Sequence, residues 1–431
     1  MEIKNKKDLV CLLILLIVIL YGILARMSVI NNTVVNHPIQ GDAIDYFAYA
    51  KNLSLYSTYS NDYGEKDKLL KDAKRPPGFP LFASLFYEKV NNNSVQSVLT
   101  AQTIVQCLAF LTLSVLCWLF WGAWTSIVVS LLIWTHPAFM SINTYYITES
   151  LFLSSLIFVF SLFILSIRFK FPLLLVVLLG ISVGLSALVR PTMEYYLLFI
   201  AFLLFFHSRQ LLKKLWPAFV IFIIIILGWK IRNYFAIGSF SDPLLMINGL
   251  FHGSYPNFIY NTIPESYGFP YRFDPHENEY YNGIGTTFRL IWQRASEQPL
   301  KYISWYVIGK QFFLWQWNIL SGVGDIFIYP IKESPFLYQA DLQFWHAIHK
   351  FLNIPIMLIG IVYSYYIIII GFVKKMPVDI SYVIASLIVY ASLFHVIVAP
   401  FPRYGIPFKV FVLVMFVLAI KSFVTSIKKE I

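Results

Sequence analysis

The amino-acid sequence predicts an all-α protein that crosses a membrane about ten times. Hydrophobic residues occupy 58% of the 431 positions, charged residues occupy only 13%, and the mean hydropathy is +0.68. In a soluble domain about a quarter of the residues are charged. Apolar runs of about 20 residues, the length that crosses a ~30 Å hydrocarbon core, recur along the chain. Together these observations indicate a polytopic membrane protein.

Each predicted span is an apolar run that ends at polar or basic residues. The first run is longer than the apolar core of a signal peptide, and no small-residue cleavage site follows it, so we expect it to be retained. Ten runs satisfy the length criterion, at 9–30, 95–119, 123–142, 150–168, 171–189, 192–207, 215–236, 346–372, 377–399 and 404–424.

The basic residues predict the orientation of these spans. Lys and Arg concentrate at the cytoplasmic ends of spans, so we expect both termini to be cytoplasmic. The net charge of +11 then reflects topology and requires no nucleic-acid partner. The basic residues that this arrangement places inside are Lys4, Lys6, Lys7, Arg168, Lys170, Arg209, Lys213, Lys214, Lys374, Lys375, Lys421, Lys428 and Lys429.

Two long segments, 31–94 and 237–345, are predicted to form outer loops of one membrane domain that covers 1–431. The second loop contains the apolar stretch PLKYISWYVIGKQFFLWQWNI, at 299–319, which also carries charge. Its aromatic residues favour a helix at the membrane interface. An eleventh span is the alternative, but an odd number of spans would place the basic C-terminal end outside.

The first outer loop begins with GDAIDYFAYAKNLS, at 41–54. Asp42 follows Gly41 at the start of a helical pattern, so we expect Asp42 to be the N-cap of a helix. Asp45 and Tyr46 follow on that helix. Capping alone is one interpretation of Asp42. A carboxylate held at the membrane surface would also serve as a general base or a metal ligand.

A second acid, Glu149, stands in the short outer turn SINTYYITESLF, at 141–152. Its simplest interpretation is a carboxylate that favours the positive end of a helix. However, Asp42 and Glu149 are predicted on the same side of the membrane and at about the same depth. The two carboxylates are therefore expected to converge on one site.

Cationic residues at predicted outer positions run against the positive-inside trend. Lys74 and Arg75 stand in the rigid segment KRPPGFP, Arg190 follows a span in ALVRP, and Arg403 precedes Tyr404 in PRYGIP. Each arginine needs an anionic partner, and arginine suits bidentate contact with phosphate. The alternatives are an ordinary surface turn at KRPPGFP and arginines that reach lipid headgroups.

Two further groups carry weaker signals. Arg26 lies near the outer end of the first span and, like the other arginines, would either have an anionic partner or extend to headgroups. His276, Glu277 and Glu279 form a loose cluster in the second loop, but their spacing is not specific for a metal ion.

Six motifs in this order resemble those of the GT-C glycosyltransferases. They are GDAIDYFAYAKNL, KRPPGFPLF, YYITESLF, LVRP, WKIRNYFAIGSF and PRYGIP, and they cover nearly the whole chain except 241–345. The similar enzymes include aminoarabinose lipid A transferases, protein O-mannosyltransferases and lipopolysaccharide galacturonosyltransferases. The resemblance implies a membrane enzyme that transfers a sugar from a polyprenyl-phosphate carrier to an acceptor at the outer face.

The resemblance also implies roles for individual residues. Asp42 matches the essential acid of the first outer loop and would be the general base, and Glu149 matches the second acid. The donor phosphate would contact Lys74, Arg75, Arg190 and Arg403, and Tyr46 and Tyr404 would position the substrates. The sequence departs from the family at Ala43, where the protein mannosyltransferases have Glu. It departs again at Phe401–Pro402, which replaces the acid that often precedes the Arg-Tyr pair.

The partners and the location follow from the same resemblance, and the cofactor is left open. Glu149 would either bind a divalent metal ion together with Asp42 or orient the acceptor. The partners would be the polyprenyl-phosphate sugar, a lipid, glycan or protein acceptor, and the bilayer of a bacterial inner membrane. Two alternatives stay open: a polysaccharide polymerase or ligase that uses a diphosphate-linked oligosaccharide, and a lipid or polysaccharide transporter. Transporter sites tend to lie near the midplane, whereas the polar residues here concentrate at one face.

Overall fold

A computed structural model describes residues 6–87, 94–320, 324–375 and 378–430, and helices account for nearly all of its regular structure. Lys4 and the side chains of Lys428 and Lys429 lie outside the described residues. The α-helices, in chain order, are α1 (Lys6–Asn32), α2 (Asp42–Tyr56), α3 (Gly78–Ser84), α4 (Ser94–Trp121), α5 (Ala123–Trp134), α6 (Pro137–Ser141), α7 (Glu149–Arg168), α8 (Leu173–Val189), α9 (Tyr196–His207), α10 (Arg209–Ile237), α11 (Leu244–Gly253), α12 (Glu277–Tyr280), α13 (Ile284–Glu297), α14 (Pro299–Ser304), α15 (Lys310–Trp315), α16 (Ala340–Lys374), α17 (Ile380–Ile397) and α18 (Pro402–Glu430).

Shorter elements connect these helices. A π-helical segment, Trp305–Gly309, joins α14 to α15. Two short strands, β1 (Val34–Val35) and β2 (Ile331–Glu333), form an antiparallel pair. The 3₁₀ helices are Lys66–Lys68, Ile142–Thr144, Pro191–Glu194, Pro256–Phe258, Pro264–Ser266, Pro270–Phe273 and Pro335–Leu337.

Seven helices of the described chain are long and apolar enough to cross a membrane: α1, α4, α7, α10, α16, α17 and α18. A pair bent by 55°, Ala123–Trp134 with Pro137–Thr144, would add an eighth span. The prediction of an integral membrane protein is therefore confirmed. The predicted number of ten spans is not confirmed, because α8 and α9 are apolar but have only 17 and 12 residues.

The helices form an inner and an outer layer. In α7 and α17, 67% of the residues in an 18-residue apolar stretch are buried inside the protein. The corresponding fraction is 22% in α10 and 28% in α1 and α16. The inner helices therefore carry the core, and the outer helices present their apolar side chains to lipid. This distribution is expected where lipid, rather than water, surrounds the bundle.

Arg26 is fully buried and does not extend to headgroups, so that expectation is wrong. Its guanidinium donates to Trp134 O at 2.7 Å, to Ile133 O at 3.0 Å and to Gln106 Oε1 at 2.9 Å. The two carbonyls belong to the last turn of α5, where carbonyl oxygens have no amide donor within the helix. Arg26 therefore holds α1 against the break between α5 and α6.

The two predicted outer loops meet each other at the same end of the bundle. Val34 pairs with Glu333 and Val35 pairs with Ile331, and the Asn36 amide donates to Pro330 O at 2.8 Å. This end is called the loop end below. Its placement on the outer side of a cell membrane stays a prediction.

In α7 and α18, the loop end and basic residues that were predicted to lie inside are at opposite ends of the helix. Glu149 begins α7 and Arg168 ends it. Arg403 lies in the first turn of α18, whereas Lys421 lies about five turns further along. These two helices have the direction that the predicted orientation requires, and the orientation itself stays a prediction.

The segment 299–319 is broken into α14, the π segment and α15. Leu300 and Ile303 are exposed, but Lys310 is buried and donates to Val396 O at 2.7 Å and to Val398 O at 3.2 Å. This ammonium group therefore satisfies carbonyls at the C-terminal end of α17. The segment is not among the seven helices that pass as spans, and its position at the interface stays a prediction.

Candidate active site

The helix that carries Asp42 begins differently from the sequence prediction. Gly41 is the N-cap of α2, with a positive φ of 54°, and no side chain caps the helix. A Cβ at Gly41 would lie 2.9 Å from the Tyr329 hydroxyl, so this position favours glycine both for backbone conformation and for space. Asp42 is therefore the first residue of α2, and the expectation that its carboxylate caps the helix is wrong.

The Asp42 carboxylate lies between two arginines. Arg75 Nη2 donates to Oδ1 at 2.9 Å, and Arg403 Nη2 donates to Oδ2 at 2.7 Å. The Asp42 side chain is 30% exposed, compared with 15% for Arg75 and 16% for Arg403, so Asp42 is the most accessible of these three side chains. Burial alone would raise the pKa of Asp42, but the Arg403 and Arg75 guanidinium groups outweigh it and hold that pKa well below its ordinary value.

Asp45 belongs to the same network, although the resemblance singles out only Asp42. Arg75 Nε donates to Asp45 Oδ2 at 2.9 Å, and Lys74 Nζ donates to Oδ1 at 3.1 Å. Burial raises the pKa of Asp45, but Arg75 and Lys74 have the larger combined effect, so the pKa is lowered. Asp42 and Asp45 stand three residues apart in a helix and therefore share a face, a signal that the sequence interpretation left unused.

Within the segment KRPPGFP, Arg75 is held both at its backbone and at its side chain. The Tyr59 hydroxyl donates to Arg75 O at 2.8 Å, and the Arg75 guanidinium lies 5.4 Å from the centre of the Tyr46 ring. A Cβ at Gly78 would lie 2.6 Å from Val189 N, which explains why glycine stands there. This close approach brings the first loop against the end of α8, directly before Arg190.

Glu149 lies deeper than Asp42, with only 3% of its side chain exposed. Arg190 Nη1 lies 3.3 Å from Glu149 Oε1, and Arg403 Nε lies 4.0 Å from the same oxygen. Thr148 Oγ1 donates to Glu149 Oε2 at 3.4 Å. The Arg403 guanidinium therefore lies between the Asp42 and Glu149 carboxylates.

Tyr404 completes the arginine side of the cluster. The Arg190 guanidinium lies 4.5 Å from the centre of the Tyr404 ring, within the range of a cation–π contact. Arg403 Nη2 also lies 3.4 Å from the Tyr404 hydroxyl. The Arg-Tyr pair at the start of α18 thus contacts both Asp42 and Arg190.

The structure brings all the predicted site residues into one cluster at the loop end. Four cationic side chains face three carboxylates, so the cluster carries one excess positive charge. Such a site is suited to a singly charged anion. The predicted members are Asp42, Glu149, Lys74, Arg75, Arg190, Arg403, Tyr46 and Tyr404, and Asp45 is the addition.

The residues of this cluster do not fit the divalent metal ion that the resemblance implies. Both Asp42 oxygens accept from arginine, and Glu149 faces Arg190 and Arg403. Across the described ranges, no group of three or more His, Cys, Asp or Glu residues is arranged to hold a metal ion. This search includes the loose cluster of the second loop, where His276 Nδ1 instead lies 2.7 Å from Glu279 Oε1.

Outside the cluster, Arg232 anchors the first loop and was not predicted. Its Nη2 donates to Tyr59 O at 3.2 Å, and its Nη1 donates to Asp72 O. The guanidinium also lies 5.1 Å from the Trp229 ring centre. Arg232 stands in the motif WKIRNYFAIGSF, so the motif was recognised but its function in holding the loop was not.

The fold is similar to that of solved membrane transferases. The archaeal oligosaccharyltransferase AglB from Archaeoglobus fulgidus, in complex with an inhibitory peptide and a dolichol-phosphate, aligns with a TM-score of 0.51 and 14% identity, over 99% of this chain and 52% of that one. The Archaeoglobus fulgidus oligosaccharyltransferase tethered to an acceptor peptide aligns with a TM-score of 0.52 and 14% identity, over 96% and 49%. ArnT from Cupriavidus metallidurans bound to undecaprenyl phosphate gives a TM-score of 0.42 and 10% identity, over 94% and 78%.

The two alignments with the archaeal oligosaccharyltransferases show that this chain shares their fold. The chain spans about half the length of the archaeal oligosaccharyltransferases that it matches. No protein-family model matches the chain, and no curated protein matches it in sequence.

Proposed function

We propose that the protein is a membrane glycosyltransferase that moves a sugar from a polyprenyl-phosphate donor to an acceptor at the outer face. The observation that carries this proposal is the partly exposed Asp42 carboxylate, held between Arg75 and Arg403 at the end of the membrane helices. The GT-C fold supports it. One structure with a similar fold contains a dolichol-phosphate and a peptide, ligands of the kinds that this reaction requires.

The arginines would bind the donor at its phosphate. Guanidinium groups match phosphate oxygens in geometry and stay charged. During transfer the bond between the sugar C1 and the phosphate oxygen breaks, and negative charge develops on the departing polyprenyl phosphate. Arg75 and Arg403 would stabilise this charge from fixed positions, and Lys74 and Arg190 would add to the positive potential of the site.

Asp42 would act as the general base once the donor is bound. A carboxylate that accepts from two arginines has a low pKa and takes up a proton poorly. The donor phosphate would compete for the same guanidinium groups and weaken their bonds to Asp42. The pKa of Asp42 would then rise, so that the carboxylate accepts the proton of the acceptor hydroxyl as the new bond to the sugar forms.

Glu149 would be a positioning residue in this mechanism. It is almost fully buried and faces Arg190 and Arg403, so a substrate would reach the arginines before it reached Glu149. Tyr46 and Tyr404 would support Arg75 and Arg190 from the side through their rings. Replacing Glu149 by glutamine should therefore raise the KM for the donor more than it lowers kcat.

The remaining features of the proposal follow from the charge distribution and the resemblance. The loop end would face outward from a bacterial inner membrane, with both termini in the cytoplasm. The acceptor would be a lipid, a glycan or a protein that meets the donor at headgroup level. The nature of the sugar and of the acceptor would be decided next to Asp42.

Membranes that contain the protein would be given a panel of polyprenyl-phosphate sugars, and release of polyprenyl phosphate would be measured. We expect release that depends on an added acceptor and disappears in the Asp42→Asn variant. A preference for a diphosphate-linked oligosaccharide over every monophosphate donor would support the polymerase or ligase alternative. The absence of release with both donor classes would contradict the proposed reaction.

A further inference from the structure

Arg403 occupies the space between the two carboxylates that would be the metal ligands of this site. Its Nη2 donates to Asp42 at 2.7 Å, and its Nε lies 4.0 Å from Glu149. We propose that this guanidinium takes the place of a divalent metal ion, so that the transfer described above proceeds without one. The reaction itself rests on the proposed function, whereas the occupancy of the site by Arg403 does not.

The ligand set supports this inference. A divalent cation such as Mg²⁺ needs several oxygen ligands that are free to turn toward it. Asp42 is engaged by Arg75 and Arg403 through both oxygens, and Asp45 is engaged by Arg75 and Lys74. Immediately before Arg403 the chain has Phe401 and Pro402, neither of which offers a side-chain oxygen. Positions 401 and 402 therefore add no carboxylate to Asp42, Asp45 and Glu149, each of which already faces cationic side chains.

The charges around the site support it as well. On one side of Arg403, Asp42 also pairs with Arg75. On the other side, Glu149 also pairs with Arg190. A metal ion placed between these two carboxylates would be repelled by both arginines in a partly buried environment, where charge interactions are strong. The cluster already has more positive than negative charge without a metal ion.

The arginine would perform the two functions that a metal ion performs in such a site. It neutralises charge on the phosphate, and it fixes the carboxylate beside the reacting atoms. Unlike a metal ion, it is held covalently at the start of α18, next to Tyr404, and a chelator cannot remove it. The site would then be complete as soon as the helices are packed.

The test uses the purified full-length protein in detergent, freed of metal ions with EDTA. Binding of Mn²⁺ would be followed by electron paramagnetic resonance, and sugar transfer would be compared with and without EDTA. We expect no Mn²⁺ binding that depends on Asp42 or Glu149, and transfer that is unchanged by EDTA. Mn²⁺ binding that is lost in Glu149→Gln, together with transfer abolished by EDTA and restored by Mn²⁺, would overturn the inference.

Variants of Arg403 give a second, independent measurement. Arg403→Met keeps most of the side-chain volume but removes the charge, so it should raise Mn²⁺ affinity by more than about tenfold. Arg403→Lys retains a cation and is the matched control, which should show no such gain. Adding Asp42→Asn to Arg403→Met should abolish the gain. A folded Arg403→Met protein that gains no Mn²⁺ affinity would contradict the inference.

Measuring both Mn²⁺ binding and sugar transfer separates this inference from the proposed function. If Arg403→Met does not fold, the measurements on the unaltered protein still decide the question. If no donor supports transfer, the proposed reaction fails, but Mn²⁺ binding by the unaltered protein still shows whether Arg403 excludes a metal ion.

Discussion

Asp42→Asn should lower sugar transfer by about two to four orders of magnitude, the usual contribution of general base catalysis. Asp45→Asn should lower it by about tenfold or less, the equivalent of one weakened hydrogen bond to a charged partner. The two acids stand on one face of α2 and share Arg75, so each substitution removes one negative charge from the same network. Only Asp42 also contacts Arg403.

The cost in stability should be similar for the two variants. Hydrogen bonds to charged groups contribute about 1.5–3 kcal/mol and neutral ones about 0.5–1.5 kcal/mol. Asparagine still accepts from the arginines, so two weakened bonds at Asp42 lower the unfolding free energy by about 1–2 kcal/mol. Asp45 has the same number of cationic partners and should behave alike.

Transfer would be measured in membranes with a saturating donor, and thermal unfolding would be measured for each variant in the same detergent. The reasoning is refuted if Asp42→Asn and Asp45→Asn lose activity equally, because the effect would then be one of charge. It is also refuted if Asp42→Asn retains near-normal transfer.

The difference in stability between the unaltered protein and the Asp42→Asn variant should decrease at low pH. The pKa of Asp42 is lowered in the folded protein, so its pairing stabilises the fold above the unfolded pKa of about 3.9 and is lost as the pH falls below that value. The difference in unfolding temperature between the unaltered protein and Asp42→Asn should therefore persist at pH 7 and shrink below about pH 4. A difference that grows on acidification would contradict this.

Two further predictions concern the donor and the topology. Arg75→Ala and Arg403→Ala should each weaken donor use by about tenfold to a hundredfold, the equivalent of a lost charge-assisted phosphate contact; stable variants with an unchanged KM for the donor would exclude this role. In a cysteine-free background, cysteine at the exposed Lys68 or Glu265 should react with an impermeant thiol reagent in intact cells, and cysteine at Ser426 should not; labelling only at Ser426 would invert the proposed orientation.

The site was predictable from the sequence because charge is rare in this chain. An arginine such as Arg403 or Arg190 at the end of an apolar run needs a partner, and Asp42 and Glu149 were predicted on the same side of the membrane and at about the same depth. The sequence did not indicate which acid pairs with which arginine. The spacing of Asp42 and Asp45 puts both acids on one face of a helix, but the contact of Asp45 with Arg75 depends on how the first loop folds back.

The fold was predictable where helices are long and uninterrupted. Each of the ten apolar runs falls on a helix or a bent pair, but length alone does not decide whether α9, with 12 residues, crosses a membrane. The pairing of β1 with β2 could not be predicted, because strands of two and three residues carry no periodic signal and lie about 300 positions apart. The burial of Arg26 was missed because its partners are backbone carbonyls, which every sequence contains.

The ion pair between Asp42 and Arg403 joins residues that stand 361 positions apart, and this separation governs when the site is assembled. Ribosomes add roughly 5–20 residues per second, so Asp42 emerges about 20–70 seconds before its partner. In the later part of that interval, α7 has been synthesised without α18, and Glu149 lacks its neighbour Arg403. Before α18 is made, Lys74, Arg75 and Arg190 balance the three carboxylates, so the excess positive charge of the cluster arises only when Arg403 arrives.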